Sequence, residues 1–271
     1  MSAPVLLITG TSSGIGLRTA IAAERAGWHV IATMRDVAKA PAELDGFDIR
    51  PLDVTSEASI ADCFGGIERL DALVNNAGIG NNFPTIETVS MDRYRAGIEV
   101  NFLGVVAVTR AAMPLLRASG GRVLSVGSTR GLIAQPFNEA YSAAKFAVEG
   151  FMEALAPVAA AVGVTVAMIE AGPVLETSFA ANTGVTFDSL LAAAGPYADA
   201  LRSYLEYLQE TGWPGAQPAG EVADVIVRAL TEPDPPFRIP TSDWVRDYAA
   251  LKLVDPEGRA VQKMTRSWVV R

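Results

Sequence analysis

The chain has 271 residues, of which 50% are hydrophobic and 19% charged, with 30 acidic and 22 basic side chains. This length and apolar content suffice for one substantial core and do not require a second domain. The formal net charge of −8, with lysine and arginine scattered along the chain, argues against a nucleic-acid partner or an anionic membrane surface.

Cysteine and histidine are almost absent from the chain. The single cysteine, Cys63, excludes an internal disulfide and favours a reducing compartment, so we expect a cytoplasmic protein. One histidine and one cysteine cannot supply a metal site of the usual kind, so no metal is expected. The N-terminal segment lacks a charged n-region and predicts a strand, not a signal peptide. No apolar run reaches the roughly 18 residues that cross a bilayer, and Asn101, Arg110 and Pro114 interrupt the most apolar helical stretch.

Apolar runs with β-branched residues alternate with helical patterns. The predicted strands are Val5–Thr9, His29–Met34, Asp48–Leu52, Ala72–Asn75, Arg122–Val126 and Val164–Ile169, with a shorter candidate at Phe237–Pro240. The predicted helices are Gly14–Ala26, Glu57–Arg69, Asp92–Arg117, Tyr141–Val162 and Glu221–Leu230. This alternation predicts one α/β domain with a doubly wound parallel sheet, Rossmann-type, in three α/β/α layers. In such folds ligands bind outside the carboxyl ends of the strands.

The first strand ends in a glycine-rich turn, T-G-T-S-S-G-I-G, over residues 9–16. A turn that follows a strand and opens a helix is the context of a phosphate-binding site. The spacing is G-x-x-x-G-x-G, and a generic glycine-rich turn is the alternative. Glycines allow the backbone to approach a pyrophosphate closely. The residues expected to contact the cofactor here are Gly10, Ser12, Ser13, Gly14, Ile15 and Gly16.

The end of the second strand bears on cofactor choice. NAD enzymes commonly place an acidic residue there to bind the ribose 2′-hydroxyl. Met34 occupies that position in this chain and Arg35 follows it. A guanidinium can bind a 2′-phosphate through paired hydrogen bonds, so the sequence favours NADP(H) over NAD(H). Asp36 is the competing signal, because a shift of one residue would bring its carboxylate to the ribose.

Three further polar positions follow predicted strands or interrupt a helix. Asp53 and Val54 end the third strand and are candidates to edge the adenine. Asn76, Ala77 and Gly78 follow the fourth strand, either as a plain turn or as a contact for neighbouring strands and the cofactor ribose. Asn101 is a poor helix former inside an apolar helical pattern, so it either satisfies a helix carbonyl or faces the site.

Tyr141 and Lys145 stand four residues apart on a predicted helix and therefore lie on one face, one turn apart. An ammonium favours the ionised form of a neighbouring phenol, which makes Tyr141 a candidate proton donor and acceptor near neutral pH. Taken alone, the pair is weak evidence, because a tyrosine and a lysine four residues apart occur by chance in many helices as a surface pair. Its position after a strand that ends near Ser128 gives it weight.

Together these residues resemble the short-chain dehydrogenase/reductase family. The matching pieces are T-G-T-S-S-G-I-G at 9–16, N-N-A-G at 75–78, Asn101, Ser128 and Y-S-A-A-K at 141–145, in the family's order over roughly residues 3–180. The segments G-R-V-L-S-V-G-S, P-F-N-E-A-Y-S-A-A-K-F-A-V-E-G and I-E-A-G-P-V-L-E-T further resemble the branch that contains 17β-hydroxysteroid and retinol dehydrogenases. The resemblance implies an NADP(H)-dependent oxidoreductase that acts on a lipophilic alcohol or carbonyl compound.

The resemblance also implies a role for each catalytic position. Tyr141 would be the general acid/base, and Ser128 would hold the carbonyl or alkoxide oxygen. Lys145 would favour the ionised form of Tyr141 and bind the nicotinamide ribose. Asn101 would fix a water that connects Lys145 to solvent.

The loop after the sixth strand completes the cofactor contacts that the resemblance implies. It reads Ala171-Gly172-Pro173-Val174, with alanine where the branch usually carries proline. Pro173 and Val174 would lie against the cofactor, and Thr177 would hydrogen-bond the nicotinamide carboxamide.

Residues 175–220 carry most of the aromatic side chains of the second half, with glycines between them. They predict a small helical lid over an apolar substrate, and a satellite core or an oligomer face is the alternative. The resemblance implies a homodimer or homotetramer that pairs through the helices at Asp92–Arg117 and Tyr141–Val162. Two other functions remain open: an NAD-dependent dehydrogenase of a more polar alcohol, and a non-catalytic protein that senses NADP.

Overall fold

The computed structural model describes residues 2–80, 85–174 and 187–268. Its centre is a parallel sheet of seven strands in the order β3–β2–β1–β4–β5–β6–β7. The strands are β1 (Val5–Thr9), β2 (His29–Met34), β3 (Asp48–Pro51), β4 (Ala72–Asn75), β5 (Arg122–Val126), β6 (Thr165–Glu170) and β7 (Arg238–Pro240). The doubly wound α/β fold predicted from the sequence is confirmed, and the strand order reverses between β1 and β4.

Helices cover both faces of the sheet. One face carries α1 (Gly14–Arg25) and α9 (Ala219–Thr231), and the other carries α2 (Glu57–Phe64), α4 (Gly104–Ser119) and α6 (Glu139–Ala160). The strands supply both cores because successive side chains point to opposite faces. Leu6 and Ile8 are buried in the first core, and Leu7 between them is buried in the second. This three-layer arrangement leaves the carboxyl ends of the strands for the site.

The helix before β5 is continuous over three segments, α3, a π-helical turn and α4. A short α3 (Met91–Ile98) continues through a π-helical turn at Glu99–Leu103 into α4, which makes 29 residues from Met91 to Ser119. Within the part of the chain that the structure describes, it is the one helix whose length and composition would let it cross a membrane. The α4 portion buries Val105, Val108 and Leu116 against the sheet.

Several element boundaries differ from the sequence prediction. The helix α2 ends at Phe64 and not at Arg69, because Gly65 and Gly66 follow and Gly66 has a φ of 73°. Strand β6 begins one residue later than predicted and extends to Glu170. Two further helices, α10 (Asp243–Leu253) and α11 (Arg259–Arg266), were not predicted.

A third apolar cluster lies beside the start of α6. It contains side chains from the short α5 (Thr129–Leu132) region, α7 (Phe187–Ala193), α8 (Ala198–Thr211), α10 and α11. Tyr204 and Tyr207 stack with Trp268 at 6.5 and 5.1 Å between ring centres. The helices α7 and α8 lie within the segment predicted to form a helical lid, and the aromatic side chains Tyr204 and Tyr207 of α8 pack in this cluster.

Candidate active site

The glycine-rich turn after β1 is held tightly against the neighbouring strands. Thr33 O accepts hydrogen bonds from Gly10 N at 3.0 Å and Thr11 N at 2.9 Å. Gly10 has a φ of 75°, and a Cβ there would lie 2.8 Å from Ala77 Cα. A Cβ on Gly16 would lie 2.2 Å from Gly10 O. Glycine is therefore required at both positions for the turn to close.

Asn76 fixes this turn to β4. Its Nδ2 donates to Thr9 O and to Gly10 O, each at 3.0 Å. Thr9 Oγ1 in turn accepts from the backbone N of Asn76 and of Ala77, each at 2.9 Å. Asn76 and Ala77 were predicted to contact the cofactor, and in the structure both contact the turn itself. No role was predicted for the Thr9 hydroxyl, because a threonine at the end of a strand has no distinctive sequence pattern.

The turn presents the N-terminus of α1 at the carboxyl edge of the sheet. The helix begins at Gly14 and its N-cap residue, Ser13, makes no side-chain cap hydrogen bond. The first backbone N–H groups of a helix, together with its dipole, bind phosphate well. Ser12 and Ile15 lie in the same turn. These residues fit the pyrophosphate of a dinucleotide.

The two residues after β2 that bear on cofactor choice, Arg35 and Asp36, differ in their contacts. Arg35 is exposed, and no carboxylate among the described residues lies within ion-pair distance of it. Asp36 is engaged locally: it accepts from Ala38 N at 3.2 Å and pairs with Lys39 Nζ at 3.1 Å. The hydrogen bond from Lys39 lowers the pKa of Asp36.

Asp53 and Val54 follow β3 and also make local contacts. Asp53 Oδ1 accepts from Thr55 N at 2.9 Å and from Thr55 Oγ1 at 2.7 Å, and these bonds lower the pKa of the Asp53 carboxyl. Val54 is buried against Gly104, where a Cβ would lie 2.7 Å from Val54 Cγ2. Both residues stand at the carboxyl edge of β3, where an adenine edge was expected.

Asn101 lies in the π-helical turn and binds the loop after β4. Its Oδ1 accepts from Ile79 N at 2.8 Å and its Nδ2 donates to Ile79 O at 2.9 Å. A Cβ on Gly78 would lie 2.9 Å from Asn101 Oδ1, so the glycine makes room for this amide. The wider π turn places a polar side chain on the side of the helix that faces the strand ends.

Ser128, Tyr141 and Lys145 come together after β5. Lys145 Nζ donates to Val126 O at 2.8 Å, two residues before Ser128, and lies 5.8 Å from the centre of the Tyr141 ring. Ser128 caps α5, with its Oγ accepting from Arg130 N at 3.2 Å. A Cβ on Gly131 would lie 3.2 Å from Lys145 Cβ, so α5 packs directly on the turn of α6 that carries Lys145. The three side chains are all buried.

Two buried glutamates lie behind Lys145, and the sequence did not point to them. A Cβ on Gly127 would lie 2.8 Å from Glu170 Oε2 and 3.2 Å from Glu149 Oε1. Both Glu170 oxygens and Glu149 Oε1 are buried without a hydrogen-bond donor in the described part of the chain. Burial, and then the Glu149 charge, raise the pKa of Glu170 well above its usual value, against the opposing charges of Arg238 and Lys145. Burial and the neighbouring carboxylate therefore both favour the protonated form of Glu170.

The loop after β6 is paired with the segment before α9. Gln217 N donates to Pro173 O at 2.9 Å, and Val174 forms a bridge with Gln217. This places Pro173 and Val174 at the same edge of the sheet as Ser128. Thr177, the expected carboxamide contact, lies outside the described residues.

A parallel sheet with a glycine-rich turn after β1, and a serine, a tyrosine and a lysine after β5, is the arrangement of a nicotinamide-dependent oxidoreductase. The short chain dehydrogenase family model matches residues 4–186. The chain is 34% identical to bovine (Bos taurus) retinol dehydrogenase 8, over 93% of this chain and 86% of that protein. It is also 34% identical to human (Homo sapiens) 17-beta-hydroxysteroid dehydrogenase type 1, over 95% of this chain and 83% of that protein.

A solved short-chain dehydrogenase from Streptomyces avermitilis superposes with a TM-score of 0.77 and 29% identity, covering 98% of both chains. This protein belongs to the short-chain dehydrogenase/reductase family, whose members use nicotinamide cofactors, and the predicted likeness to the retinol and 17β-hydroxysteroid branch is confirmed.

Proposed function

We propose that this protein transfers a hydride between NADP(H) and a hydrophobic secondary alcohol or ketone. The observation that carries the proposal is the placement of Lys145 and Tyr141 one helical turn apart, with Lys145 anchored on Val126 O beside Ser128. Two relatives that cover most of the chain are named for retinol and for a 17-beta-hydroxysteroid. Their names support a lipophilic alcohol or carbonyl compound as the substrate.

The chain's own residues manage the proton and the charge of the reaction. The nicotinamide supplies or accepts the hydride when it is bound. In the direction of reduction, Tyr141 donates its hydroxyl proton to the substrate oxygen as negative charge develops there. Ser128 donates a hydrogen bond to the same oxygen. The ammonium of Lys145 stabilises the phenolate that Tyr141 leaves behind.

Asn101 joins this mechanism through the loop after β4. Its side-chain amide accepts one hydrogen bond from the backbone of Ile79 and donates one to it, one residue after Gly78. In the proposed mechanism Asn101 holds this loop at the cofactor edge and fixes a water that connects Lys145 to solvent.

The cofactor preference rests on the end of β2. An exposed Arg35 without an ion-pair partner in the described chain is available to a 2′-phosphate, while Asp36 is bound to Lys39. We expect Arg35→Ala to weaken NADPH binding by about 10-fold or more and to leave NADH binding nearly unchanged, since a charge-assisted contact contributes about 1.5–3 kcal/mol. Titration of both cofactors by fluorescence measures this. An equal NADPH affinity in wild type and variant would contradict the preference.

Tyr141→Phe tests the reaction itself. The variant keeps the ring and its packing and removes the hydroxyl, so we expect NADPH binding to persist while most turnover of lipophilic ketones is lost. Retention of the wild-type kcat would show that Tyr141 is not the acid/base. Wild-type protein that binds NADPH and reduces no compound in a broad ketone panel would favour a sensor of NADP over an enzyme.

Assembly and location complete the proposal. Members of the family commonly pair through the helices that correspond to α4 and α6. Val158 of α6 is 66% exposed, and Leu103, in the π-helical turn before α4, is 40% exposed. We infer a homodimer or homotetramer, in the cytoplasm, with α7 and α8 forming part of the lid over the substrate. Light scattering at several protein concentrations tests the assembly.

A further inference from the structure

Tyr141 has a second cation beside it that the mechanism above does not use. Arg130 lies in α5, two residues after Ser128, and its Cζ is 6.0 Å from the centre of the Tyr141 ring. Lys145 Nζ lies 5.8 Å from the same centre. Lys145 has a role in the proposed mechanism, and Arg130 has none.

The polar partners of Arg130 are all neutral. Its Nε donates to Gln135 Oε1 at 2.8 Å. The hydroxyl of Tyr204 donates to the same oxygen at 3.3 Å, and Gln135 Nε2 donates to the Tyr248 hydroxyl at 3.5 Å. Asn138 Nδ2 also lies 3.4 Å from the Tyr204 hydroxyl. Throughout residues 2–80, 85–174 and 187–268, no carboxylate lies within 4.0 Å of Arg130.

Two other arginines of the described chain are also only partly buried. Arg50 pairs with Asp48, whereas Arg122 Nη1 donates to the backbone carbonyl groups of Ala229 at 2.6 Å and Glu232 at 2.9 Å. A guanidinium that is partly removed from water favours an anion that can accept from its paired N–H groups. Arg130 is held in place by Gln135 and lacks such an anion.

The phosphates of the cofactor are not expected to be the anion that binds Arg130. Its phosphates fit the turn at the end of β1 and the end of β2, whereas Arg130 follows β5. Strand β4 separates β1 from β5 in the sheet, and neighbouring strands are about 4.8 Å apart. The third apolar cluster, which includes Ile133 and Phe137, adjoins Arg130 instead. That cluster is where an apolar substrate body would pack.

We propose that Arg130 binds a carboxylate on the substrate, so that the preferred compound is a lipophilic keto or hydroxy acid and not a neutral ketone or alcohol. This rests on the proposed function and narrows its substrate class. The carboxylate binds Arg130, and the amide and hydroxyl groups of Gln135 and Tyr204 orient the guanidinium. The apolar body lies against the third cluster, and the carbonyl carbon faces Tyr141.

The test compares a lipophilic oxo acid with its methyl ester, using NADPH and the full-length protein. We expect wild type to prefer the acid in kcat/KM by about 10- to 100-fold, the value of one charge-assisted pair. Arg130→Gln should abolish most of this preference, chiefly through a higher KM for the acid, with a far smaller loss for the ester. Arg130→Lys should restore part of it. Arg202→Gln, on the exposed face of α8, removes the same charge as a control and should keep the preference.

Each other outcome overturns the inference in a recognisable way. Equal turnover of acid and ester by wild type would refute the carboxylate site and leave the proposed oxidoreductase function standing. Equal losses for acid and ester in Arg130→Gln would show that Arg130 acts on Tyr141. The absence of turnover for both compounds, with NADPH bound, would refute the proposed function together with the inference. The wild-type ratio alone decides the matter if the variant does not fold.

Discussion

Replacing Glu170 by glutamine should make the free energy of unfolding less dependent on rising pH. Glu170 is 1% exposed and faces Glu149 across Gly127, with Arg238 bonded to Glu149 Oε2 at 3.1 Å. A carboxylate on each residue would place two like charges in a buried site with one neighbouring guanidinium. A proton on Glu170 removes one charge and supplies a donor to Glu149, and the amide of glutamine does both at every pH.

The size of the effect follows from the proton count. An unfolded glutamic acid has a pKa of about 4.3. Because the native pKa of Glu170 is raised, its contribution to stability is present below the unfolded pKa and is lost as the pH rises towards the native pKa. A difference of one bound proton changes the free energy of unfolding by about 1.4 kcal/mol per pH unit. Wild type should therefore lose stability relative to Glu170→Gln, at up to about that rate, as the pH rises from the unfolded pKa towards the native pKa of Glu170.

Denaturant titrations of both proteins at several pH values measure this difference. The groups that titrate elsewhere are common to both proteins and cancel in the comparison. Glu153→Gln is the matched control, because Glu153 also pairs with Arg238 but its side chain is 62% exposed. A difference between wild type and Glu170→Gln that stays constant with pH would show that Glu170 is ionised in the native protein. A control that follows the same slope would assign the effect to Arg238.

Two further substitutions test the turn that fits the cofactor phosphates. Thr9→Val removes the acceptor shared by Asn76 N and Ala77 N and should lower the free energy of unfolding by roughly 1–3 kcal/mol. Thr9→Ser keeps the hydroxyl and should change the free energy of unfolding little. Equal stability of both variants in denaturant would contradict this role of Thr9. Gly16→Ala places a methyl group 2.2 Å from Gly10 O, so the turn must shift. NADPH affinity, measured by fluorescence titration, should therefore fall by about 10-fold or more. An unchanged affinity would show that the turn does not hold the cofactor.

The fold could be predicted from local patterns because a parallel sheet buries both of its faces. Its strands are therefore continuous apolar runs, and glycines or polar residues mark their ends. Strands β1, β2, β4 and β5 have the predicted boundaries. The helices α10 and α11 escaped prediction because they lie outside this alternation. They are largely exposed, and of the two buried residues of α10, Tyr248 packs on the aromatic cluster and Val245 lies against Gly172 after β6.

The candidate site was predictable in its residue types but not in their contacts. The glycine spacing indicated a phosphate turn, since glycine is required wherever two backbones approach closely. The direction of an asparagine side chain has no such signal. Asn76 binds the turn and Asn101 binds Ile79, because each finds backbone groups from a strand or loop that is distant in sequence. Contacts of this kind depend on strand order, which local periodicity does not encode.

The helix α6 shows where that limit lies. Tyr141, Lys145 and Glu149 follow one another at intervals of four residues, so all three lie on the face that meets the sheet edge. Periodicity places Glu149 there as firmly as it places Lys145, yet a glutamate at that position reads as a solvated residue until its surroundings are known. Those surroundings come from β6, where Glu170 ends the strand, and from Gly127, which leaves room for both carboxyl groups. The face of α6 that carries Tyr141 and Lys145 thus also carries Glu149, which meets Glu170 of β6 beside Gly127. Helical periodicity predicts the first half of this contact, and only the order of the strands in the sheet supplies the second.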